Sequence, residues 1–276
     1  MNDRDFAWVR SFVRSAAGLM LEDEKRYLAD FRLEPLARRE GFDSVSALIG
    51  RMSGGVPNGL HAKVLEAMTT NETSFFRDLH PFEALRTQVL PGLIERRRPE
   101  RRLVFWSAAC ASGQEPYSLA MLLRDHFAAA LNGWDVRVVG TDLSPSMIGR
   151  AREGLYSQLE VNRGLPAAGL LTHFQKEGLQ WRVRPELRRG LEFGILNLLD
   201  EWHAVPQPDV ILLRNALYYM AEDVRRGILA RVRRFLRPDG LLLLGAAEML
   251  LAPDEDFDRV DLGTCSAYRP AGGPRA

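Results

Sequence analysis

From residue 103 onward, short apolar runs alternate with amphipathic segments, and this alternation constrains the fold more than any other feature. The apolar runs are strand-length and nearly uninterrupted, as in LVFWSAA, DVRVVGTD, PDVILL and LLLLG. Segments with helical spacing, such as PYSLAMLLRDHF and EDVRRGILARVRRFL, lie between them. Strands without polar alternation are typical of a mostly parallel sheet that is covered on both faces. The sequence therefore predicts a doubly wound α/β domain.

The chain before this domain has helical spacing and no convincing strand. Apolar residues recur with helical spacing: Phe6, Val9, Phe12 and Val13 follow at intervals of three and four, and Leu28, Phe31 and Leu36 at intervals of three and five. Pro35 is expected to end or kink one of these helices. We expect an all-helical domain over residues 1–88.

The basic stretch PGLIERRRPERR contains two prolines, which are expected to interrupt regular structure. We therefore expect a linker over 89–102 and the α/β domain over 103–270. Residues 155–192 differ in character, because WRVR alternates polar and apolar side chains, and they predict a helix followed by a small antiparallel β-subdomain. Residues 271–276 are expected to form a flexible tail.

Composition excludes several classes of protein. The net charge of +1 gives no general attraction to nucleic acid, and neither of the two cysteines is spaced for a disulfide framework or a metal site. The opening MNDRDFAWVR is too charged for a signal peptide, and no apolar run approaches the roughly 18 residues needed to insert into a membrane. We expect a cytoplasmic protein that binds no metal.

The stretch WSAACASGQEPYSLAM follows the first strand and reads like a nucleotide-binding turn with a single glycine, Gly113. Small residues can replace glycine in such a turn if no positive φ is needed. Glu115 has two interpretations: with Ser112 it fits a helix capping box, or its carboxylate faces a cation such as an ammonium or sulfonium ligand. An acid at this position disfavours a pyrophosphate, and hence a dinucleotide.

Other strands also end in polar side chains. Asp142 could hold ribose hydroxyls or simply form a turn, and the amides of Asn197 and Asn215 could bind a ligand or satisfy their own loops. Arg214 and Tyr219 accompany Asn215. Because the carboxyl ends of parallel strands share one edge of a sheet, these residues predict a binding site there.

The motifs MTTNETSFFRD, WSAACASGQEPYSLAM, GTDLSPSM, EFGILNLLD and DVILLRNALYYM occur in an order that resembles the chemotaxis receptor methyltransferase (CheR) family. The resemblance covers nearly the whole chain and implies a Rossmann-like methyltransferase sheet behind a helical domain. It also implies S-adenosylmethionine as cofactor and S-adenosylhomocysteine as product. The chain has Gln114-Glu115 where many members of the family have two glutamates.

The resemblance assigns roles by position. It implies that the cofactor is bound by Asn71, Thr73, Arg77, Glu115, Asp142, Asn197, Leu198, Arg214 and Asn215. Arg214 and Tyr219 would lie beside the transferred methyl group as catalytic residues. Arg32, Arg38 and Arg39 would contact the substrate, although an ordinary solvated helix face explains them equally well.

The function implied is methylation of glutamate side chains on the cytoplasmic helices of chemoreceptors, giving methyl esters for sensory adaptation. Such a carboxylate is already ionised at neutral pH and needs no general base. Relatives that dock on a C-terminal receptor pentapeptide have a longer loop in the β-subdomain, so the short turn after Lys176-Glu177-Gly178 implies independence of such a tether, unless another edge of the subdomain accepts the peptide. We also expect a monomer. Two alternatives stay open: a methyltransferase with another acceptor, and a regulatory module that binds the cofactor without turnover.

Overall fold

The computed structural model describes residues 1–56, 58–248 and 255–273, which divide into two compact units. The first unit comprises residues 1–70, 197–199 and 219–228, and the second comprises 71–196, 200–218 and 229–276. The first unit includes residues 1–70 of the expected helical domain, and the expected domain bounds stay a prediction. Residues 274–276 of the expected flexible tail lie outside the described residues.

Four helices form most of the first unit, together with a short 3-10 turn at Asp23–Lys25. They are α1 (Asp3–Ala17), α2 (Arg26–Arg39), α3 (Val45–Ser53) and α4 (Gly59–Met68). Side-chain caps mark the starts of α1, α3 and α4, where Asn2, Ser44 and Asn58 each accept a hydrogen bond from a backbone N–H of the first turn. The apolar faces of the helices meet in one core.

α2 differs from the sequence pattern in two respects. Phe31, one of the apolar residues with helical spacing, is 75% exposed, and the helix buries Ala29, Leu33 and Leu36. Pro35 does not end the helix, which continues to Arg39. Pro35 is exposed on the solvent side of the helix.

The second unit contains the rest of the regular structure. Its last helix begins within the first unit, which includes residues 219–228. Its helices are α5 (His80–Ala84), a π-helical turn (Leu85–Val89), α6 (Leu90–Arg97), α7 (Gln114–Phe127), α8 (Pro145–Glu153), α9 (Gln158–Asn162), α10 (Ala167–His173) and α11 (Glu222–Phe235). Its strands are β1 (Arg102–Ala108), β2 (Asp135–Asp142), β3 (Leu155–Ser157), β4 (Phe174–Glu177), β5 (Gln180–Val183), β6 (Leu191–Ile195), β7 (Val210–Leu213), β8 (Leu241–Leu244), β9 (Phe257–Asp261) and β10 (Ser266–Pro270). A 3-10 turn covers Leu217–Tyr219.

Seven strands form the main sheet in the order β6-β2-β1-β7-β8-β10-β9. The pairs from β6 to β8 are parallel, and β10 is antiparallel to both β8 and β9. The predicted α/β fold with a mainly parallel sheet is therefore confirmed. Because β1, β2 and β7 are parallel neighbours, their carboxyl ends lie at one edge, where ligands bind in sheets of this type.

Residues 89–102, expected to be an irregular linker, contain α6. Helical backbone continues from α5 through the π-helical turn into α6, and Pro91 lies directly after that wider turn. Leu90 and Leu93 are buried in the same core as Phe105 of β1. The prolines are therefore compatible with a helix that packs under the sheet.

The expected inserted β-subdomain is present as a three-stranded antiparallel sheet in the order β3-β5-β4. Its buried side chains form a separate aromatic core. Glu177 pairs with Gln180, so the turn between β4 and β5 consists of Gly178 and Leu179 alone. Among the described residues, no helix combines the length and apolarity needed to cross a membrane.

Candidate functional site

The turn between β1 and α7 has an unusual backbone. Ala109, Ala111 and Gly113 have φ values of 60°, 47° and 92°. A left-handed conformation costs a residue with a side chain about 1–2 kcal/mol. The condition under which small residues replace glycine without cost, that no positive φ is needed, is therefore not met in this turn. Such strain is concentrated at binding and catalytic sites, so this turn is a candidate for one.

Gly113 is required by packing as well as by its φ. A Cβ atom at this position would lie 2.8 Å from the Cβ of Ala151 on α8. Gly113 therefore allows α7 to begin close to α8 and brings the turn against the backbone that follows β2.

Glu115 does not cap α7. The residue before the helix is Gly113, and the Ser112 hydroxyl hydrogen-bonds the Gln114 side chain instead, so the capping-box interpretation is wrong. The Ser107 hydroxyl donates to Glu115 Oε1 at 2.7 Å, and Arg214 Nη1 donates to Glu115 Oε2 at 2.8 Å. The carboxylate does face a cation, and that cation is a guanidinium of the chain itself.

Arg214, which follows β7, is almost completely buried. Its Nη2 atom donates to Asp78 Oδ2 at 2.8 Å and to the carbonyl oxygen of Arg77 at 2.7 Å. Its Nε atom is buried and has no hydrogen-bond partner among the described residues. Arg214 thus joins the helix after β1 to the segment that contains Arg77.

Asp142 lies at the carboxyl end of β2 and is buried. The backbone N–H groups of Ala111 and Ser144 donate to its two oxygens at 2.8 and 2.9 Å. The carboxylate therefore organises the turn, as the more conservative interpretation proposed. A carboxylate offers about four acceptor sites, so this role is compatible with binding ribose hydroxyls as well.

The thiol of Cys110 is buried in the same turn. Burial raises the pKa of Cys110 well above its usual value, and the negative charges of Asp142 and Glu115 raise the pKa further. The thiol therefore stays protonated at neutral pH and is not a nucleophile, because the thiolate is the reactive form.

Sequence reasoning missed Glu248, which follows β8. Its buried carboxylate accepts hydrogen bonds from the backbone N–H groups of Asn215 at 2.5 Å, Gly245 at 2.9 Å and Tyr218 at 3.1 Å. Asn215 has a φ of 61°. Glu248 thus holds the strained loop after β7, and the only signal in the sequence was an acid just beyond a strand.

The segment 71–77 passes close to Arg214. Arg77 Nη1 donates to the carbonyl oxygen of Glu72 at 2.7 Å, and the N–H of Phe76 donates to the Ser118 hydroxyl of α7 at 2.8 Å. The side chains of Asn71 and Thr73 are partly exposed. Their assignment to the cofactor stays a prediction.

Three of the residues assigned to the cofactor or to catalysis belong to the first unit. Asn197 Nδ2 donates to the carbonyl oxygen of Ala16 at 2.7 Å, and its Oδ1 accepts from the N–H of Leu199. Leu198 is buried, and Tyr219 is 39% exposed. Their roles at the cofactor stay predictions.

The arginines assigned to substrate binding have different environments within that unit. Arg32 donates to the carbonyl oxygen of Met68 at 2.6 Å and to the Thr70 hydroxyl at 2.8 Å, so it secures the end of α4. Burial lowers the pKa of Arg32, and the nearby Tyr219 opposes this effect. Arg38 and Arg39 are exposed and form ion pairs with Glu34 and Glu40 on their own helix surface.

The second unit therefore brings together Glu115, Arg214, Asn215 and the backbone of Arg77, with Asp142 bonded to the turn that precedes Glu115. Within the ranges 1–56, 58–248 and 255–273, no group of three or more His, Cys, Asp or Glu side chains is placed to hold a metal ion.

Comparison with known proteins gives the same division of the chain. Residues 71–265 match the family described as CheR methyltransferase, SAM binding domain, and residues 4–69 match CheR methyltransferase, all-alpha domain. The chain is 40% identical to chemotaxis protein methyltransferase Cher2 of Pseudomonas putida, covering 96% of the chain and 97% of that protein. It is also 40% identical to chemotaxis protein methyltransferase 1 of Pseudomonas aeruginosa, with the same coverage. Identity to the chemotaxis protein methyltransferase of Escherichia coli is 33%, over 90% of the chain and 85% of that protein.

Proposed function

The chain belongs to the CheR methyltransferase family, which uses S-adenosylmethionine, and on this premise we propose that it methylates glutamate side chains of chemoreceptors. The product on the receptor is a glutamate methyl ester, and the second product is S-adenosylhomocysteine. The observation that carries the proposal is the buried Arg214–Glu115 pair at the carboxyl edge of the sheet, with Asp142 at the next strand end.

The residues at this edge fit the cofactor. The turn Ala109–Gly113 has no large side chain that would keep a ligand from its backbone. Asp142 provides carboxylate oxygens for ribose hydroxyls, and Arg77 provides a guanidinium suited to the carboxylate of the methionine portion. Asn71, Thr73, Asn197, Leu198 and Asn215 complete the proposed set.

When bound, S-adenosylmethionine supplies a methyl group made electrophilic by its positively charged sulfur. The acceptor glutamate has an ordinary pKa of about 4.3 and is ionised at neutral pH, so no residue of the chain has to remove a proton from it. The protein must align a carboxylate oxygen with the methyl carbon and exclude water. We assign this alignment to Arg214 and Tyr219.

Charge complementarity supports an acidic partner for the helical unit. Arg38 and Arg39 are exposed on α2, and an acidic stretch of a receptor helix could displace their weak pairs with Glu34 and Glu40, because exposed ion pairs contribute little. We propose these two arginines as the receptor contact. We assign Arg32 a smaller role in receptor binding, because its guanidinium is hydrogen-bonded to the end of α4.

The β-subdomain bears on how the receptor is reached. A two-residue turn joins β4 and β5, which leaves little chain to shape an edge for a docked peptide strand. We propose that the protein acts as a cytoplasmic monomer and does not require a C-terminal receptor pentapeptide.

The experiment is transfer of labelled methyl groups from the cofactor to receptor-containing membranes, followed by mild base. We expect label on the receptor that is released by base, and no label on a matched receptor whose methylation-site glutamates are replaced by alanine. Base-stable label would indicate another acceptor. Binding of S-adenosylhomocysteine without any transfer would indicate a regulatory module.

A further inference from the structure

Phe75 attaches the segment 71–77 to the inserted β-subdomain. Its side chain is fully buried. Its ring makes edge-to-face contacts with Tyr156 of β3 and Phe174 of β4, with ring centres 5.1 and 5.5 Å apart. Aromatic pairs of this geometry contribute about 0.5–1.5 kcal/mol beyond the area they bury. The segment is therefore anchored in the aromatic core of the subdomain.

Gly164 lies against the backbone of the same residue. It has a φ of 91°, and a Cβ atom at this position would overlap the carbonyl oxygen of Phe75. Only glycine combines this conformation with so close an approach. The loop between α9 and α10 therefore fits directly over the backbone of the segment.

A third contact lies at the surface. Arg163 donates to the carboxylate of Glu72, and this hydrogen bond lowers the pKa of Glu72. The carbonyl oxygen of Glu72 in turn accepts from Arg77 Nη1. A residue of the subdomain is thus connected through Glu72 to the guanidinium that we assign to the cofactor.

These three contacts all come from the subdomain, and Arg214 holds the end of the segment through the carbonyl oxygen of Arg77 and the carboxylate of Asp78. The backbone between them includes positive φ values of 46° at Phe76 and 66° at Asp78. Strained backbone of this kind persists only where its surroundings fix it.

We propose that the inserted β-subdomain positions the cofactor-binding segment 71–77, with Phe75, Arg163 and Gly164 as the positioning residues. This rests on the proposed role of Arg77 at the cofactor. None of the three residues has to touch the cofactor. Each acts by holding the segment in a conformation that binds it, and this lowers the ordering required on binding.

The first test compares Gly164→Ala with Gly178→Ala. Both glycines belong to the subdomain and have positive φ, but a Cβ at Gly178 meets nothing within 4 Å. We expect Gly164→Ala to weaken S-adenosylhomocysteine binding about tenfold or more by calorimetry, whereas Gly178→Ala binds like the wild type. In the ligand-free Gly164→Ala protein, amides of residues 71–77 should exchange hydrogen faster.

The second test avoids the core, in case Gly164→Ala does not fold. Arg163→Ala removes an exposed ion pair, and Arg182→Ala removes a comparable exposed pair with Glu177 elsewhere in the subdomain. We expect Arg163→Ala to raise KM for S-adenosylmethionine about threefold with little change in kcat, Arg163→Lys to restore it in part, and Arg182→Ala to have no effect.

Arg77→Ala separates this inference from the proposed function. If Arg77→Ala loses binding while Arg163→Ala and folded Gly164→Ala bind normally with unchanged exchange, the positioning role is overturned and the cofactor site stands. If the wild type does not bind S-adenosylhomocysteine, both ideas are overturned.

Discussion

Two buried arginines lie at opposite ends of β7 and are neutralised in different ways. Arg97 lies at the amino ends of the strands and binds Asp209, which precedes β7, and Asp239, which precedes β8. Arg214 lies at the carboxyl end of β7 and binds Glu115 and Asp78. Each guanidinium therefore has two carboxylate partners.

The surroundings separate the two sites. All three nitrogens of Arg97 donate to aspartate oxygens at 2.5–2.9 Å. Burial alone would lower the pKa of Arg97, but the hydrogen bonds to Asp239 and Asp209 outweigh it and raise the pKa. Arg214 instead shares its donors between carboxylates and a backbone carbonyl, and its Nε has no partner among the described residues.

The backbone differs as well. Among the described residues, Asp78, Ala109, Ala111 and Asn215 near Arg214 have positive φ, whereas Arg101 is the corresponding residue near Arg97. A buried ion pair is therefore not in itself a sign of function. Strained backbone beside the pair distinguishes the site from the structural network, whereas a buried Nε without a hydrogen-bond partner occurs beside both, at Arg214 and at Arg237.

The largest effect is expected for Arg97→Ala. Removing the guanidinium leaves Asp209 buried without its main cation, so the free energy of unfolding should fall by about 3–5 kcal/mol in denaturant titrations. Arg96→Ala, which removes a partly exposed partner of Asp239, is the matched control and should lower the free energy of unfolding by less. The comparison fails if the folded Arg97→Ala protein also loses S-adenosylhomocysteine affinity.

Arg214→Lys should give the opposite pattern. Lysine keeps the charge but cannot contact Glu115, Asp78 and the Arg77 carbonyl with one planar fork, so kcat/KM should fall about 100-fold, or roughly 2.7 kcal/mol. Arg97→Lys is the control and should retain kcat/KM. Equal losses of activity in the two variants would remove the distinction.

Asp142→Ala tests the acid at the end of β2. Loss of the charged acceptor should weaken S-adenosylhomocysteine binding by about 1.5–3 kcal/mol in calorimetry. Asp142→Asn, which keeps one carbonyl oxygen, should lose less. Unchanged affinity in both folded variants would reduce Asp142 to a turn residue.

Tyr219→Phe separates turnover from binding. We expect kcat to fall about tenfold with unchanged S-adenosylhomocysteine affinity, because the proposed place of the hydroxyl is beside the reacting methyl. Tyr218→Phe alters the preceding, more exposed tyrosine and should be close to wild type. A loss of affinity with normal kcat at saturation would contradict the assignment.

The smallest effect concerns acid stability at the Arg97 end. The hydrogen bond from Arg97 lowers the pKa of Asp239 in the folded protein. The ionised Asp239 therefore stabilises the fold fully above the pKa of an unfolded aspartate, about 3.9, and this contribution is lost as the pH falls through the pKa of the folded state. Asp239→Asn should therefore show a smaller loss of stability below about pH 4. Parallel pH–stability curves for wild type and variant would contradict this.

The positions of polar residues at the ends of strands were predictable, because the apolar pattern of a strand also indicates where the strand ends. Asp142, Arg214 and Asn215 were found in this way. The partners of these residues were not predictable. Glu115 and Arg214 are distant in sequence, and their hydrogen bond forms because β1 and β7 pair in parallel. Glu248 was missed because its ligands are backbone N–H groups, which leave no trace in side-chain identity.

The errors in the helical region have a different cause. Phe31 fits the helical spacing but is exposed, because spacing counts apolar residues without knowing which face is covered. The prolines were expected to interrupt helices, but Pro35 lies inside α2 and Pro91 follows the π-helical turn in a continuous helical run. Helix propensity gives the local free-energy cost of a proline, and tertiary packing can outweigh that cost.

The first unit is discontinuous in the chain, and this affects when it can be completed during synthesis. The N–H of Ala221 donates to the carbonyl oxygen of Gly18, and Leu19 forms an antiparallel bridge with Met220. Helices α1 to α4 leave the ribosome first but wait for residues 219–228, at about 5–20 residues per second, before their unit is whole. Contacts this distant in sequence slow folding, so the helical unit stays incomplete until residues 219–228 have been made, which is before the last three strands of the sheet, β8 to β10, are synthesised.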